Sequence, residues 1–218
     1  MTENIADKAI NDTRIVKQFT NPVKEPIDSD INLFDLLDNR AKRDPEGAMI
    51  EYKGDDGTWQ PYSAQVFRDM VIDLAKGLIG LGVNKGDSVA IVSRTRWEWT
   101  ALDMAIMSIG ALTVPVYETN SASQVSWIFN DSKVTLAIAE DDGQRDKIES
   151  VRSEVPTLRN VFVIEAGGLN AIKTYGESVT DAEFWEYKSA SHGDDRATIV
   201  YTSGSTGTPK GVELTHRN

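Results

Sequence analysis

From residue 63 to residue 202 the chain alternates short β-branched runs with amphipathic stretches, joined by short links, and this alternation constrains the fold more than any other feature. Ser63 is a good N-cap. Val66, Phe67, Met70, Val71, Leu74, Leu78 and Ile79 follow it at mostly three- and four-residue spacing, the mark of one buried helix face. Gly80 and Gly82 close that helix. Residues 88–92 then read as a buried strand, 97–109 as a helix, and 111–116 as a strand whose Pro115 marks a sheet edge or a strand end. The pattern continues with helix 121–131, strand 134–139, an acidic helix 142–154, strand 161–164, helix 180–187 and a last strand over 197–202. Strands that alternate with helices pair in parallel and are covered on both faces, because each crossover lays a helix on the sheet. The expected fold class is α/β, a mostly parallel sheet flanked by helices. Ligands of such sheets bind beyond the carboxyl ends of the strands.

Upstream, residues 31–43 predict a helix with Leu33, Phe34, Leu36 and Leu37 as its apolar stripe, ended by Asp44-Pro45. Residues 48–52 and 58–60 flank the turn cluster Gly54-Asp55-Asp56-Gly57 and predict a β-hairpin. Residues 1–28 are polar, mixed in charge and carry Pro22 and Pro26, the composition of a loosely ordered N-terminal arm. Residues 29–218 form the expected domain.

The last strand runs directly into Thr202-Ser203-Gly204-Ser205-Thr206-Gly207-Thr208-Pro209-Lys210-Gly211. Its glycines permit positive φ and leave backbone N–H groups uncovered, so several can point at one anion. Thr202, Ser203, Ser205, Thr206 and Thr208 add hydroxyls that donate to phosphate oxygens or ligate a cation. Lys210 supplies a mobile positive charge, and Pro209 limits how far the loop wanders. A Walker A loop would place glycine at 209 and a hydroxyl at 211, where the chain has Pro209 and Gly211, so an ordinary P-loop NTPase is excluded. A plain Gly/Ser linker does not usually carry a lysine or follow a strand directly.

Composition narrows the function classes. The formal charge of −11 makes nucleic acid an improbable partner, since phosphate backbones demand clustered Lys and Arg. Between residues 193 and 218, however, Asp194, Asp195 and Glu213 are offset by Arg196, Lys210 and Arg217, and this neutral segment tolerates a small phosphate ligand. The absence of cysteine excludes a disulfide scaffold and a thiolate metal site, and two histidines are too few for a His-rich one. No run approaches the ~18 apolar residues of a membrane span, and the N-terminus lacks a secretory pattern, so a cytoplasmic location is expected.

Residues 202–211 resemble, in order and spacing, the phosphate-binding signature of adenylate-forming enzymes: acyl-CoA synthetases, adenylation domains and luciferases. Residues 86–103 and 110–128 resemble one branch of that superfamily, the long-chain fatty acyl-CoA synthetases of bacteria. Together the similarity covers residues 31–218. It implies an incomplete, N-terminal part of an adenylate-forming domain, ending just after the phosphate loop. It also implies a two-step ligase reaction: a fatty acid carboxylate attacks the α-phosphate of ATP, giving acyl-AMP and pyrophosphate, and the CoA thiol then displaces AMP. ATP, Mg²⁺ and CoA are the implied cofactors and co-substrates, and peripheral membrane contact would suit a lipid substrate. By the resemblance, the Thr202 hydroxyl lies near Mg²⁺ and phosphate, Ser203, Gly204, Ser205, Thr206 and Gly207 wrap the phosphates, and Lys210 adds charge. The family's later motifs have no counterpart in these residues, so the chain is expected to be an inactive N-terminal piece. The alternatives are a non-catalytic nucleotide- or partner-binding module and an adenylating enzyme for another carboxylic acid.

Other candidates read more simply. Trp97, Trp99 and Trp127 are expected to pack in the core or at an interface rather than form a ligand platform. His216 is expected to be structural or solvent-facing. Glu118, between a strand and a helix N-terminus, is expected to be a surface carboxylate before a catalytic one.

Overall fold

A computed structural model describes residues 30–54, 56–202 and 209–218. The expected N-terminal arm lies outside them. The elements run in the order α1 (Leu33–Arg43), β1 (Ala48–Lys53), β2 (Trp59–Ser63), α2 (Ala64–Gly80), β3 (Ser88–Val92), α3 (Trp97–Ser108), β4 (Leu112–Val116) and α4 (Ala122–Asp131). They continue with β5 (Val134–Ala139), α5 (Asp142–Ser150), β6 (Asn160–Val163), α6 (Gly168–Tyr175), α7 (Asp181–Ser189), β7 (Arg196–Thr202) and β8 (Lys210–Thr215).

β1 and β2 form an antiparallel hairpin, and the other six strands form one sheet in the order β6-β5-β3-β4-β7-β8. All pairs in that sheet are parallel except β7–β8, which is antiparallel. The α/β expectation therefore holds, with one antiparallel edge strand added. β3 is buried along its whole length, as a run of Ser-Val-Ala-Ile-Val with a neighbour on each side requires. Val89, Ile91, Leu136 and Ile138 face a core built with α1, α2, α3, α6 and α7. Ala90, Val92, Ala137 and Ala139 face a second core built with α4 and α5. Strand alternation thus feeds two hydrophobic layers from the same sheet.

Helix starts follow local chemistry. The Val66 N–H donates to Ser63 Oγ at 3.3 Å, as the N-cap reading requires. Reciprocal capping boxes start α4 at Ser121 and Gln124 and α7 at Thr180 and Glu183. Three details differ from the sequence reading. Leu36 is 59% exposed and Val66 50% exposed, so the buried stripes pass through Phe34, Leu37 and Ala41 and through Phe67, Val71 and Leu74. The acidic helix breaks at Val151 into α5 and a 3₁₀ turn over Arg152–Glu154. Helix α6 has no counterpart in the sequence reading, because its eight residues are short for a periodicity argument.

α6 packs unusually close to α2. A Cβ on Gly77 would fall 2.2 Å from Ile172 O, and one on Gly80 only 1.9 Å from Tyr175 O. These two glycines let the helix backbones touch. Gly80 is therefore a packing position as well as the last residue of α2. Gly80→Ala should destabilise the chain by about 2 kcal/mol, since overpacking against backbone at roughly 3 kcal/mol outweighs the ~1 kcal/mol helix-propensity gain of alanine. Urea unfolding midpoints measure it directly.

Asp103 lies on α3 beside Thr113 of β4. Burial pushes its carboxyl up to about 6, against the opposing effect of the Thr113 hydroxyl. Because the folded-state value exceeds the unfolded one, ionisation opposes folding. The favourable protonated form is complete below the unfolded value near 3.8 and is lost as pH rises through about 6. Asp103→Asn should therefore gain stability over the parent with rising pH, by about 1–3 kcal/mol between pH 4 and pH 7.5. Parallel urea titrations at the two pH values measure this difference.

Candidate functional site

The sheet leaves two gaps at the carboxyl ends of its strands. Chain crossings explain them: β3 leads toward β4 while its neighbour β5 leads the other way to β6, and β4 leads back across β3 to β5 while its neighbour β7 leads outward to β8. Adjacent strands whose exits diverge open a crevice between their carboxyl ends.

The gap between β3 and β5 is filled from within. Glu140, just past β5, has a side chain only 3% exposed. Its carboxylate accepts hydrogen bonds from Arg94 N at 2.9 Å, Arg94 Nε at 2.9 Å and Arg94 Nη2 at 2.6 Å. The Arg94 guanidinium holds this carboxyl below the usual carboxylate range. Arg96 stands 3.6 Å from the same carboxylate and also binds Glu98 at 2.8 Å and Glu165 at 3.1 Å. A groove of about 1030 Å³ separates this cluster from the β1–β2 hairpin, with Tyr52, Trp59 and Trp97 on its walls. Its two guanidinium groups are already committed to carboxylates.

The gap between β4 and β7 is open. A crevice of about 470 Å³ lies among Arg94, Trp99, Val116, Glu118, Val200 and Tyr201, a size suited to a small organic ligand. Pro115 also lines it. Here β4 is an interior strand, so of the two readings of Pro115 the strand end is the correct one.

Thr202 and Lys210 sit beside this crevice at the mouth of the β7–β8 hairpin. They are partners in the antiparallel register, following Val200↔Val212 and Tyr201↔Gly211. The loop thus joins two antiparallel strands. Ser203, Gly204, Ser205, Thr206 and Gly207 lie outside the described residues. Thr202 and Lys210 are both exposed. The acids of the surrounding neutral segment are each paired with another cation: Asp194 with Arg217 at 2.8 Å, Asp195 with Lys85 at 2.7 Å and Glu213 with Arg196 at 2.5 Å. Among the described residues Lys210 has no salt-bridge partner, which leaves its charge for a ligand.

Two contacts absent from the sequence reading tie this hairpin to α4. Trp127 Nε1 donates to Pro209 O at 3.1 Å, and Tyr201 Oη donates to Asp131 Oδ2 at 2.6 Å. Trp127 therefore sits at an interface, as expected, while Trp97 packs edge-on to Tyr62 with ring centroids 5.0 Å apart. His216 is structural. Its Nδ1 accepts from Leu33 N at 3.3 Å and its Nε2 lies 3.3 Å from Ser191 Oγ. Burial pulls its ring below the usual imidazole range, which suits this neutral arrangement. Glu118 is half-buried at the crevice rim, and its carbonyl accepts from Lys147 Nζ at 2.6 Å.

A cation fits these residues only as part of a ligand. Among the described residues no group of three or more His, Cys, Asp or Glu side chains could hold a metal ion. One threonine hydroxyl is too few donors for Mg²⁺, which keeps several waters and phosphate oxygens about it. No described helix is long and apolar enough to cross a membrane.

Comparison with known proteins identifies the family. Residues 37–218 match the model of the AMP-binding enzyme family. The long-chain-fatty-acid–CoA ligases FadD15 of Mycobacterium bovis and Mycobacterium tuberculosis are 41% identical over 180 residues, 81% of this chain and 30% of theirs. Fatty acyl-CoA synthetase A of Dictyostelium discoideum is 30% identical over 201 residues, 88% of this chain and 28% of its own. Among solved structures, a Mycobacterium tuberculosis fatty acyl CoA synthetase superposes with a TM-score of 0.67 at 25% identity, over 85% of this chain and 34% of that one. The anthranilate CoA ligase AuaEII, solved with anthranoyl-AMP, gives 0.71 at 22% identity, over 88% of this chain and 35% of that one, and shares the fold. The chain spans about 30% of the length of the FadD15 ligases it matches. With five sixths of its residues matched, it belongs to the AMP-binding enzyme family.

Proposed function

We propose that this chain serves ATP-dependent activation of a long-chain fatty acid, first to acyl-AMP and then to acyl-CoA, in an assembly of the length its relatives have. The observation that carries the reading is the 41% identity to long-chain-fatty-acid–CoA ligases across 81% of the chain. The exposed pair Thr202 and Lys210 beside an open crevice supports it from geometry.

The chemistry assigns a limited share to these residues. A carboxylate oxygen attacks the α-phosphorus of ATP, the bond to the β-phosphate oxygen breaks, and pyrophosphate leaves with its electron pair. The acyl carbon then carries AMP, a far better leaving group than oxide, and a thiol can displace it. Charge builds on the departing pyrophosphate, so donors and cations held there lower the barrier. Lys210 supplies a point charge and Thr202 a hydroxyl at the hairpin mouth. Ser203, Gly204, Ser205, Thr206 and Gly207, between them in sequence, supply N–H and O–H donors. Mg²⁺ arrives bound to ATP as part of the substrate and supplies charge neutralisation. Fold likeness does not choose the acid, because the neighbours include an anthranilate ligase.

A chimera tests the proposal, with this chain replacing the matching segment of the Mycobacterium tuberculosis FadD15 ligase. Palmitate-dependent ATP–pyrophosphate exchange should persist in the chimera. Lys210→Ala and Thr202→Ala should each lower it at least about tenfold, the scale of losing one charge-assisted contact in the transition state. Each should shift stability by under about 0.5 kcal/mol, as exposed positions do. A folded chimera without exchange, or two variants with unaltered kinetics, contradicts the reading.

A further inference from the structure

We propose that helix α4 positions Thr202 and Lys210, with Trp127 and Asp131 as its positioning side chains and Gly211 as the space that lets them act. This rests on the phosphate-gripping reading of Thr202 and Lys210. Trp127 and Asp131 are four residues apart and so lie on one face of α4. Each takes hold of a residue next to a stem residue. Trp127 binds the carbonyl of Pro209, which precedes Lys210 on β8, and Asp131 binds the hydroxyl of Tyr201, which precedes Thr202 on β7. One helix face therefore holds the hairpin on either side of the Thr202↔Lys210 pair, at Tyr201 within β7 and at Pro209 just before β8.

Gly211 makes the second grip possible. It pairs with Tyr201 across the hairpin, and a Cβ there would lie 2.9 Å from Ile199 Cγ2, 3.1 Å from Tyr201 Cζ and 3.2 Å from Tyr201 Oη. Any side chain at 211 would push the phenol ring out of its place. Burial, with the Asp131 carboxylate beside it, pushes the Tyr201 hydroxyl above its usual range, so it remains a donor. The grip has a physical need behind it. β8 is the edge strand, it is exposed over most of its length, and its registered pairing is with β7 alone. An edge strand with so little burial frays first, at its ends. Ties to α4 at Pro209 and Tyr201 oppose that fraying where Lys210 and Thr202 must stay paired.

The test uses the ¹⁵N-labelled 218-residue chain, its variants Trp127→Phe, Tyr201→Phe and Gly211→Ala, and magnesium tripolyphosphate as the probe. Trp127→Phe removes one of the five indole resonances and so assigns it. Amides of residues 210–212 should exchange about fivefold faster in Trp127→Phe and Tyr201→Phe, the factor that losing one hydrogen bond implies. Amides of β3 should keep their rates. The Trp127 indole resonance should shift on adding the probe, and each variant should bind it about three- to tenfold more weakly. Wild-type binding that all three variants match, with unchanged exchange at 210–212, overturns the positioning role alone. A wild-type chain that leaves the probe unbound overturns the phosphate reading and this inference with it.

Discussion

The site depends on one narrow contact, the parallel docking of β7 against β4. Their registered pairing is Thr113↔Thr198, reinforced by Thr198 Oγ1 donating to Thr113 O at 2.8 Å. After β6 the chain must cross from one edge of the sheet to the far side of β4, through α6 and α7. β8 joins the sheet through β7. Remove the β4–β7 contact and the hairpin carrying Thr202 and Lys210 loses its place beside the crevice. The same contact explains the opening. Pro115 offers no N–H to a ladder, and the registered pairing of β4 continues to Val116 on the β3 side but stops at Thr113 on the β7 side.

Most of the frame was legible in the sequence because burial on two faces leaves strong marks. Ser88–Val92 and Val134–Ala139 were read with their observed bounds, as continuous apolar strands between turn signals. Ser63 announced α2 by its capping chemistry. What escaped was short, local or long-range. β8 was absorbed into the glycine-rich motif, although Val212 and Leu214, alternating with Gly211, Glu213 and Thr215, carry the period-two signal of a strand. Helix α6 is held by backbone contact with α2 at Gly77 and Gly80, and no periodicity encodes such a contact.

The site was half legible. Thr202 and Lys210 stood out by residue type and spacing. Trp127 was expected at an interface but without its partner, and Asp131 and Tyr201 carried no signal for theirs, because these partners lie 70 to 82 residues away and no local pattern links them. Gly211 was read as one more uncovered N–H of an anion loop, whereas its surroundings make it room for the Tyr201 ring. Electrostatics sort the two crevices. Glu140 occupies the β3–β5 gap by binding Arg94 and Arg96, whereas Lys210, without a salt-bridge partner among the described residues, lies beside the open space at β4–β7. The proposed phosphate-handling role for the hairpin rests on that coincidence and on membership of the AMP-binding family.

Interstrand nuclear Overhauser effects in the labelled chain test the central claim most directly. The account predicts backbone cross-peaks linking residues 113 and 198 in parallel register, together with antiparallel cross-peaks linking 201 to 211 and 202 to 210. If the 201–211 peaks appear without any between β4 and β7, the hairpin forms but does not dock. That result would contradict the placement of Thr202 and Lys210 beside the crevice.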